Sequence, residues 1–175
     1  AGRSAIGVAD FNEDGRPDLV TSDSVSDDMS VLLGQGGGEF ALHAAFSTRN
    51  EPGDVVAGDI DRDGHVDVAM PHTLSNVVEI RAGLGNGDFA GETLVSFHHP
   101  SFVLLEDVDG DSRLDLVVGD SNLDRINVRR GLGGFAFAPA QSSPFEVPLE
   151  AVAADFDEDG APDLAVANNS GDYAL

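Results

Sequence analysis

Apolar stretches of four to seven residues recur along the whole chain, each bounded by Gly, Asp, Asn or Pro. "IGVA", "VVAG", "FVLL" and "AVAA" form one set; "DLVTS", "DVAM", "DLVVG" and "DLAVA" follow them after a polar gap. A third set, "MSVLLG", "VVEIRAG" and "RINVRRG", ends in glycine, and a looser fourth includes "ALHAAFS" and "GETLVSF". Short runs rich in Val, Leu and Ile between turn residues read as strands. No segment keeps a helical apolar period over three turns, so helices should be scarce.

The polar gaps repeat too. They read "DFNEDGRPDL", "DIDRDGHVDV", "DVDGDSRLDL" and "DFDEDGAPDL", and their first aspartates, Asp10, Asp59, Asp107 and Asp155, are 49, 48 and 48 residues apart. Gly34, Gly83 and Gly131 advance by 49 and then 48, and so do Phe40, Phe89 and Phe137. Unrelated landmarks sharing one step make an internal repeat. Four short strands per repeat predict an all-β fold, a β-propeller of four-stranded antiparallel blades of about 48 residues. A solenoid of stacked hairpins carries the same local signals and is the alternative. The whole of 1–175 then forms part of one propeller domain, with repeats 1–49, 50–98 and 99–146 and a partial repeat 147–175. About three and a half blades fall short of the usual four to eight. The expectation is a piece of a larger propeller, the other option being a ring completed by another copy.

Composition narrows the partners. Nine arginines and no lysine stand against 32 acidic residues, a formal charge of −23. Nucleic acid and anionic membrane surfaces both need a basic footprint, so neither is expected as a partner. Metal cations fit better. No cysteine is present, which removes disulfides and thiolate zinc sites. No apolar run is long enough for a membrane span, and no charged-then-apolar leader opens the chain.

The acidic loops follow D-x-[DN]-x-D-[GS]-x-x-D. Positions one, three, five and nine are Asp10, Asn12, Asp14 and Asp18; Asp59, Asp61, Asp63 and Asp67; Asp107, Asp109, Asp111 and Asp115; and Asp155, Asp157, Asp159 and Asp163. Alternate residues of a curled segment can aim oxygens at one centre, and the ninth can close the shell from the next strand. The carbonyl of position seven (Arg16, His65, Arg113 or Ala161) adds a neutral oxygen. Six to eight oxygens is the preference of Ca2+, whereas Mg2+ demands stricter geometry and holds its waters. A solvated turn could carry one such loop, since Asp and Gly are common in hairpins. Four copies are harder to explain that way. Two carboxylates about 4 Å apart repel by about 1 kcal/mol in water and about 4 kcal/mol near a protein surface. An EF-hand begins alike but needs Glu at position twelve, where this chain has Thr21, Met70, Val118 and Val166. Glycine at position six supplies a left-handed turn, and Ser112 replaces it in the third loop, which makes that site the expected weakest.

With its flanks, "GVADFNEDGRPDLV" or "AVAADFDEDGAPDLAVAN", the loop resembles the FG-GAP/VCBS repeat of integrin-α-type propellers, and "LLGQGGGEF" is similar to that family's glycine-rich hairpin. The resemblance covers nearly the whole chain. It implies calcium between the first two strands of each blade, an extracellular or cell-surface setting, and roles in adhesion, carbohydrate binding or support of polysaccharide-active enzymes.

A ligand is expected at the opposite end, on the loops between blades and between second and third strands. Arg49, His72, His98 and His99 are the candidates there, with exposed loop histidines as the plain reading. The leading function is a rigid calcium-binding scaffold for a glycan or protein ligand. The alternatives are the propeller of a polysaccharide lyase or hydrolase and a self-assembling surface subunit. No acid–base pair recurs at a defensible spacing, and the lack of tryptophan weakens sugar stacking. Arginine without lysine suggests a GC-rich bacterial source.

Overall fold

A computed structural model describes residues 4–168 and 173–174. Among the described residues there is no helix, and the strands form four successive antiparallel sheets. The first is β1 (Ser4–Ala9), β2 (Asp18–Asp23), β3 (Asp28–Gly36) and β4 (Glu39–Ser47), in chain order. The second is β5 (Val56–Gly58), β6 (Asp67–His72), β7 (Val77–Gly83) and β8 (Phe89–Ser96). The third contains β9 (Pro100–Glu106), β10 (Asp115–Asp120), β11 (Arg125–Arg129) and β14 (Gln141–Pro144). The fourth comprises β15 (Pro148–Ala154), β16 (Asp163–Asn168) and β17 (Tyr173–Ala174).

One strand departs from the expected pattern. In the third sheet the glycine-rich hairpin separates as a small ribbon, β12 (Gly131–Gly133) with β13 (Ala136–Phe137), and the outer strand resumes only at Gln141. Pro139 falls in the gap, and a proline cannot donate to a strand ladder.

First strands touch in succession, β1 with β5, β5 with β9 and β9 with β15, so they form the inner edge of an arc of blades. The sheets pack face to face. Phe11, Val20, Met29 and Val31 of the first meet Val55, Val68, Met70 and Phe89 of the second. Ile60, Ala69 and Ile80 of the second meet Val103, Leu116 and Val118 of the third. Val166 packs on Val117 and Ile126 between the third and fourth. The apolar core therefore lies between blades, as a propeller requires and a solenoid of hairpins stacked by their edges does not.

Buried polar groups cross the same seams. Glu79 on β7 is fully buried and receives Arg81 Nε at 2.7 Å and the Arg49 N–H at 3.3 Å, with His72 Nε2 3.2 Å away. Arg81 also donates to the Ser47 carbonyl of the first blade. One repeat later Arg129 donates to the Ser96 carbonyl at 2.9 Å and lies over the Phe97 ring. Burial alone would raise the Glu79 carboxyl, but the contacts with His72 and Arg81 win and hold it below its usual 4.5. Breaking a buried ion pair from one side costs about 3–5 kcal/mol, so Glu79→Ala should destabilise by that amount in a denaturant titration at neutral pH. The sign with pH follows from the lowered value. Stability from ionised Glu79 is full above 4.5 and is lost as pH falls through its folded value, so variant and wild type should converge in acid.

Candidate metal centres

Each acidic loop joins the first strand of a sheet to the second, and its ninth residue, Asp18, Asp67, Asp115 or Asp163, opens that second strand. The loop curls because its own carboxylates collect its N–H groups. The position-one aspartate accepts from position six: Gly15 to Asp10 at 2.7 Å, Gly64 to Asp59 at 3.1 Å, Ser112 to Asp107 at 2.7 Å and Gly160 to Asp155 at 2.9 Å. Position five accepts from position seven, with Arg16, His65, Arg113 and Ala161 donating to Asp14, Asp63, Asp111 and Asp159.

Position nine does more than close the loop. One oxygen accepts from the residue after position one, Phe11, Ile60, Val108 or Phe156. In the first three blades the other oxygen accepts from Gly34, Gly83 or Gly131, at 2.7, 2.8 and 2.9 Å. The glycine period thus has a second cause, for a Cβ there would overlap the carbonyl oxygen of Pro17, Val66 or Leu114. Gly83→Ala should destabilise by about 3 kcal/mol, the cost of forcing atoms into a filled site, read from denaturant unfolding.

Positions one, three and nine converge. In Asp59, Asp61 and Asp67, in Asp107, Asp109 and Asp115, and in Asp155, Asp157 and Asp163, one oxygen from each residue lies within 4.8 Å of the others. Asp10, Asn12 and Asp18 hold the same places in the first loop. The position-five carboxylates, expected as ligands, are not in these triads. Asp14 and Asp111 instead pair with Arg16 and Arg113 at 2.6 Å. Burial first, and then the neighbouring carboxylates, push Asp61, Asp67 and Asp115 above the ordinary aspartate value. Asp59 Oδ1 is buried with no hydrogen-bond donor. A buried acceptor without a donor, inside a group of mutually repelling oxygens, suits a hard cation. The acidic triads can hold a metal ion.

Backbone strain does not single out the third loop. Position four is left-handed as well as position six: Glu13, Arg62, Gly110 and Glu158 have φ of 59°, 68°, 75° and 62°. The third loop exchanges the two residues, with glycine at position four and Ser112, at φ 66°, at position six. Every loop therefore bears one left-handed residue with a side chain. What distinguishes the third is Arg130, whose Nη1 lies 3.3 Å from Asp109 Oδ2.

The four ligand-end candidates do not form one group. His72 is fully buried against Glu79 and the Asn50 carbonyl, beyond reach of a ligand in solvent. Arg49 reaches Glu92 at 2.8 Å. His98 is exposed and lies 3.4 Å from buried Asp120, which Arg125 also contacts, and His99 Nδ1 sits 3.4 Å from Ser121 Oγ. Arg49 and His98 are one repeat apart, as are His72 and Asp120, so these are two corresponding corners of successive blades.

A further device escaped the sequence reading. Asp27, Asn76 and Asp124, all left-handed, accept from the N–H groups of Glu51, His99 and Val147 at 2.7, 2.9 and 3.0 Å. Their own carbonyls accept from Thr48, Phe97 and Phe145. Each side chain thus clamps the loop leading to the next blade. The signal was present, since these residues step by 49 and 48. The fourth such loop includes residues 169–172, outside the described residues.

Among the described residues no helix is long and apolar enough to cross a membrane. The FG-GAP-like repeat family matches residues 10–70 and 107–166. No curated protein sequence matches. Among solved structures, BBS1N in complex with ARL6DN is similar at 14% identity and a TM-score of 0.69, covering 98% of this chain and 52% of that one. An Agrocybe aegerita lectin, described as recognising non-reducing terminal N-acetylglucosamine, is similar at 20% identity and a TM-score of 0.68, covering 100% and 52%. The V. cholerae biofilm matrix protein Bap1 is similar at 16% identity and a TM-score of 0.50, covering 99% and 30%. At these identities the likeness shows the fold, a β-propeller whose arc is not closed within the described residues. The chain spans about half the length of the first two.

Proposed function

The chain belongs to the FG-GAP-like repeat family, and from that premise we propose that it is a calcium-stabilised β-propeller module that presents a binding surface for a carbohydrate or protein ligand outside the cell. The observation that carries the reading is the separation of the two ends. Carboxylate triads occupy the hairpins at one end of the blades, and clamped loops occupy the other. Asp10, Asn12 and Asp18, with the three acidic triads, would hold the ions, and the position-seven carbonyls would complete the oxygen set. Bound Ca2+ supplies positive charge that offsets the repulsion of the loop. The protein does the rest. Position nine ties that charge to the second strand and, through Gly34, Gly83 or Gly131, to the third, so one ion steadies three strands.

The ligand end takes its class from chemistry and fold. A charge of −23 repels nucleic acid and anionic lipid. The similar lectin and BBS1N are proteins of this fold whose described partners are a sugar and a protein. Exposed His98 and half-buried His99, beside Ser121 and Arg125, offer polar groups at the junction of the second and third blades. A glycan array probed with the calcium-loaded chain tests this directly. Binding should weaken at least about tenfold in the His98→Ala/His99→Ala variant, the effect of losing one or two hydrogen bonds to a ligand. Unchanged binding by that variant would move the ligand elsewhere, and a silent array would remove the carbohydrate.

A further inference from the structure

The third blade departs from the first two at its glycine-rich hairpin. The residue before the glycine is Leu33 in the first blade, Ala82 in the second and Arg130 in the third. Leu33 packs on the apolar core between the first two blades. Arg130 is exposed and turns to the acidic loop, where its Nη1 lies 3.3 Å from Asp109 Oδ2. Beside it the outer strand is broken: the Ala138 N–H donates to the Arg130 carbonyl at 2.8 Å, and β14 begins at Gln141. The acidic loop, the hairpin and this detached segment enclose an open cleft of about 560 Å³. That volume lies within the range of small-molecule sites, about 300–1,000 Å³.

The lining specifies the occupant. Two guanidinium–carboxylate pairs contribute to it, Arg113 with Asp111 at 2.6 Å and Arg130 with Asp109. A guanidinium carries five N–H donors and a carboxylate two acceptor oxygens, so neither pair is saturated by its own contact. The Gln141 amide adds a further donor and acceptor. Leu132, 60% exposed, and Pro139 supply aliphatic surface. Two positive and two negative groups balance, so the cleft offers a charged ligand no net attraction, and the formal charge of −23 repels anions. What fits is a neutral molecule whose neighbouring hydroxyls both donate and accept and whose ring has an apolar C–H face. We propose that this cleft binds a neutral saccharide of one or two rings. Arg113 and Arg130 donate to its oxygens, Asp111 accepts from a hydroxyl, and Leu132 and Pro139 cover the C–H face. Asp109, a member of the acidic triad, orients Arg130. The carbohydrate class is that of the reading above, but the place is the metal end of the third blade and stands without the His98 corner.

Saturation-transfer NMR on the whole chain with calcium present tests it, using glucose, galactose, mannose, N-acetylglucosamine, cellobiose and lactose as probes. At least one should bind with a dissociation constant of about 1 mM or tighter. Arg130→Leu, which installs the first blade's residue, should weaken that binding at least about tenfold, the effect of losing a hydrogen bond from a charged group. Arg130→Lys should not restore it, because an ammonium lacks the planar fork. Melting with calcium establishes that the variants are folded, and Gln141→Ala, expected to weaken binding severalfold, replaces Arg130→Leu if that variant is not. Glucuronate should bind no tighter than glucose. Silence across all six probes overturns the proposal, and so does binding that Arg130→Leu leaves unchanged. A strong preference for glucuronate would make the cleft an anion site instead. Binding lost in His98→Ala/His99→Ala but kept in Arg130→Leu would assign the sugar to the opposite end, which overturns the cleft and upholds the earlier reading.

Discussion

Chelation of calcium should lower the melting temperature of this chain by tens of degrees. A ligand that binds only the folded state adds about 2.7 kcal/mol when its free concentration is about 100 times its dissociation constant. Four loops of equivalent design could together supply on the order of 10 kcal/mol. In a domain of this size each kcal/mol moves the midpoint by about 2–4 °C. The cause is local, because burial first, and then neighbouring carboxylates, raise Asp61, Asp67 and Asp115, and a cation among them would relieve both. Differential scanning calorimetry with Ca2+ and with excess chelator measures the difference. Coincident melts would mean that the loops fold without an ion, and the calcium reading would fail.

Asp67→Ala should be more damaging than loss of its triad partner Asp61, and its damage should persist in chelator. The side chain is fully buried and accepts from the N–H groups of Ile60 and Gly83. Each buried donor left without a partner costs about 1–3 kcal/mol, so the loss is about 2–6 kcal/mol before any ion is counted. Asp61→Ala is the control, because Asp61 shares the triad and does not bridge to Gly83. It should lower the calcium-loaded melt and leave the chelated melt nearly unchanged. Equal effects of the two variants in chelator would show that Asp67 serves only as a ligand.

These roles show where sequence reading runs out. The strands, their order within a blade and the acidic loops were legible because hydrophobic alternation and carboxylate spacing are local properties. The partnership of Asp67 with Gly83 was half-legible: both residues kept the repeat period, but nothing in the spacing said that one side chain binds the other's N–H. Position four of the loop went unread for a different reason. Glu13, Arg62 and Glu158 have no compositional mark of a left-handed backbone, so Ser112 looked like the lone exception. His72 was misplaced because a histidine near a loop looks exposed, whereas here Glu79 lies buried on the neighbouring strand beside it. Long-range pairing of that kind comes from blade stacking. The interrupted outer strand of the third blade was the converse case, with Pro139 in plain view and its effect on the ladder unread.

Glu51, His99 and Val147 have a consequence for how such a scaffold can diversify. The clamp from Asp27, Asn76 and Asp124 grips these residues by the backbone N–H, and their side chains are an acid, an imidazole and an aliphatic. What the corner presents to the outside is thereby decoupled from what keeps it in shape. Substitution at these three corners would change the surface that each blade presents while the backbone clamp is kept, within what a left-handed φ allows.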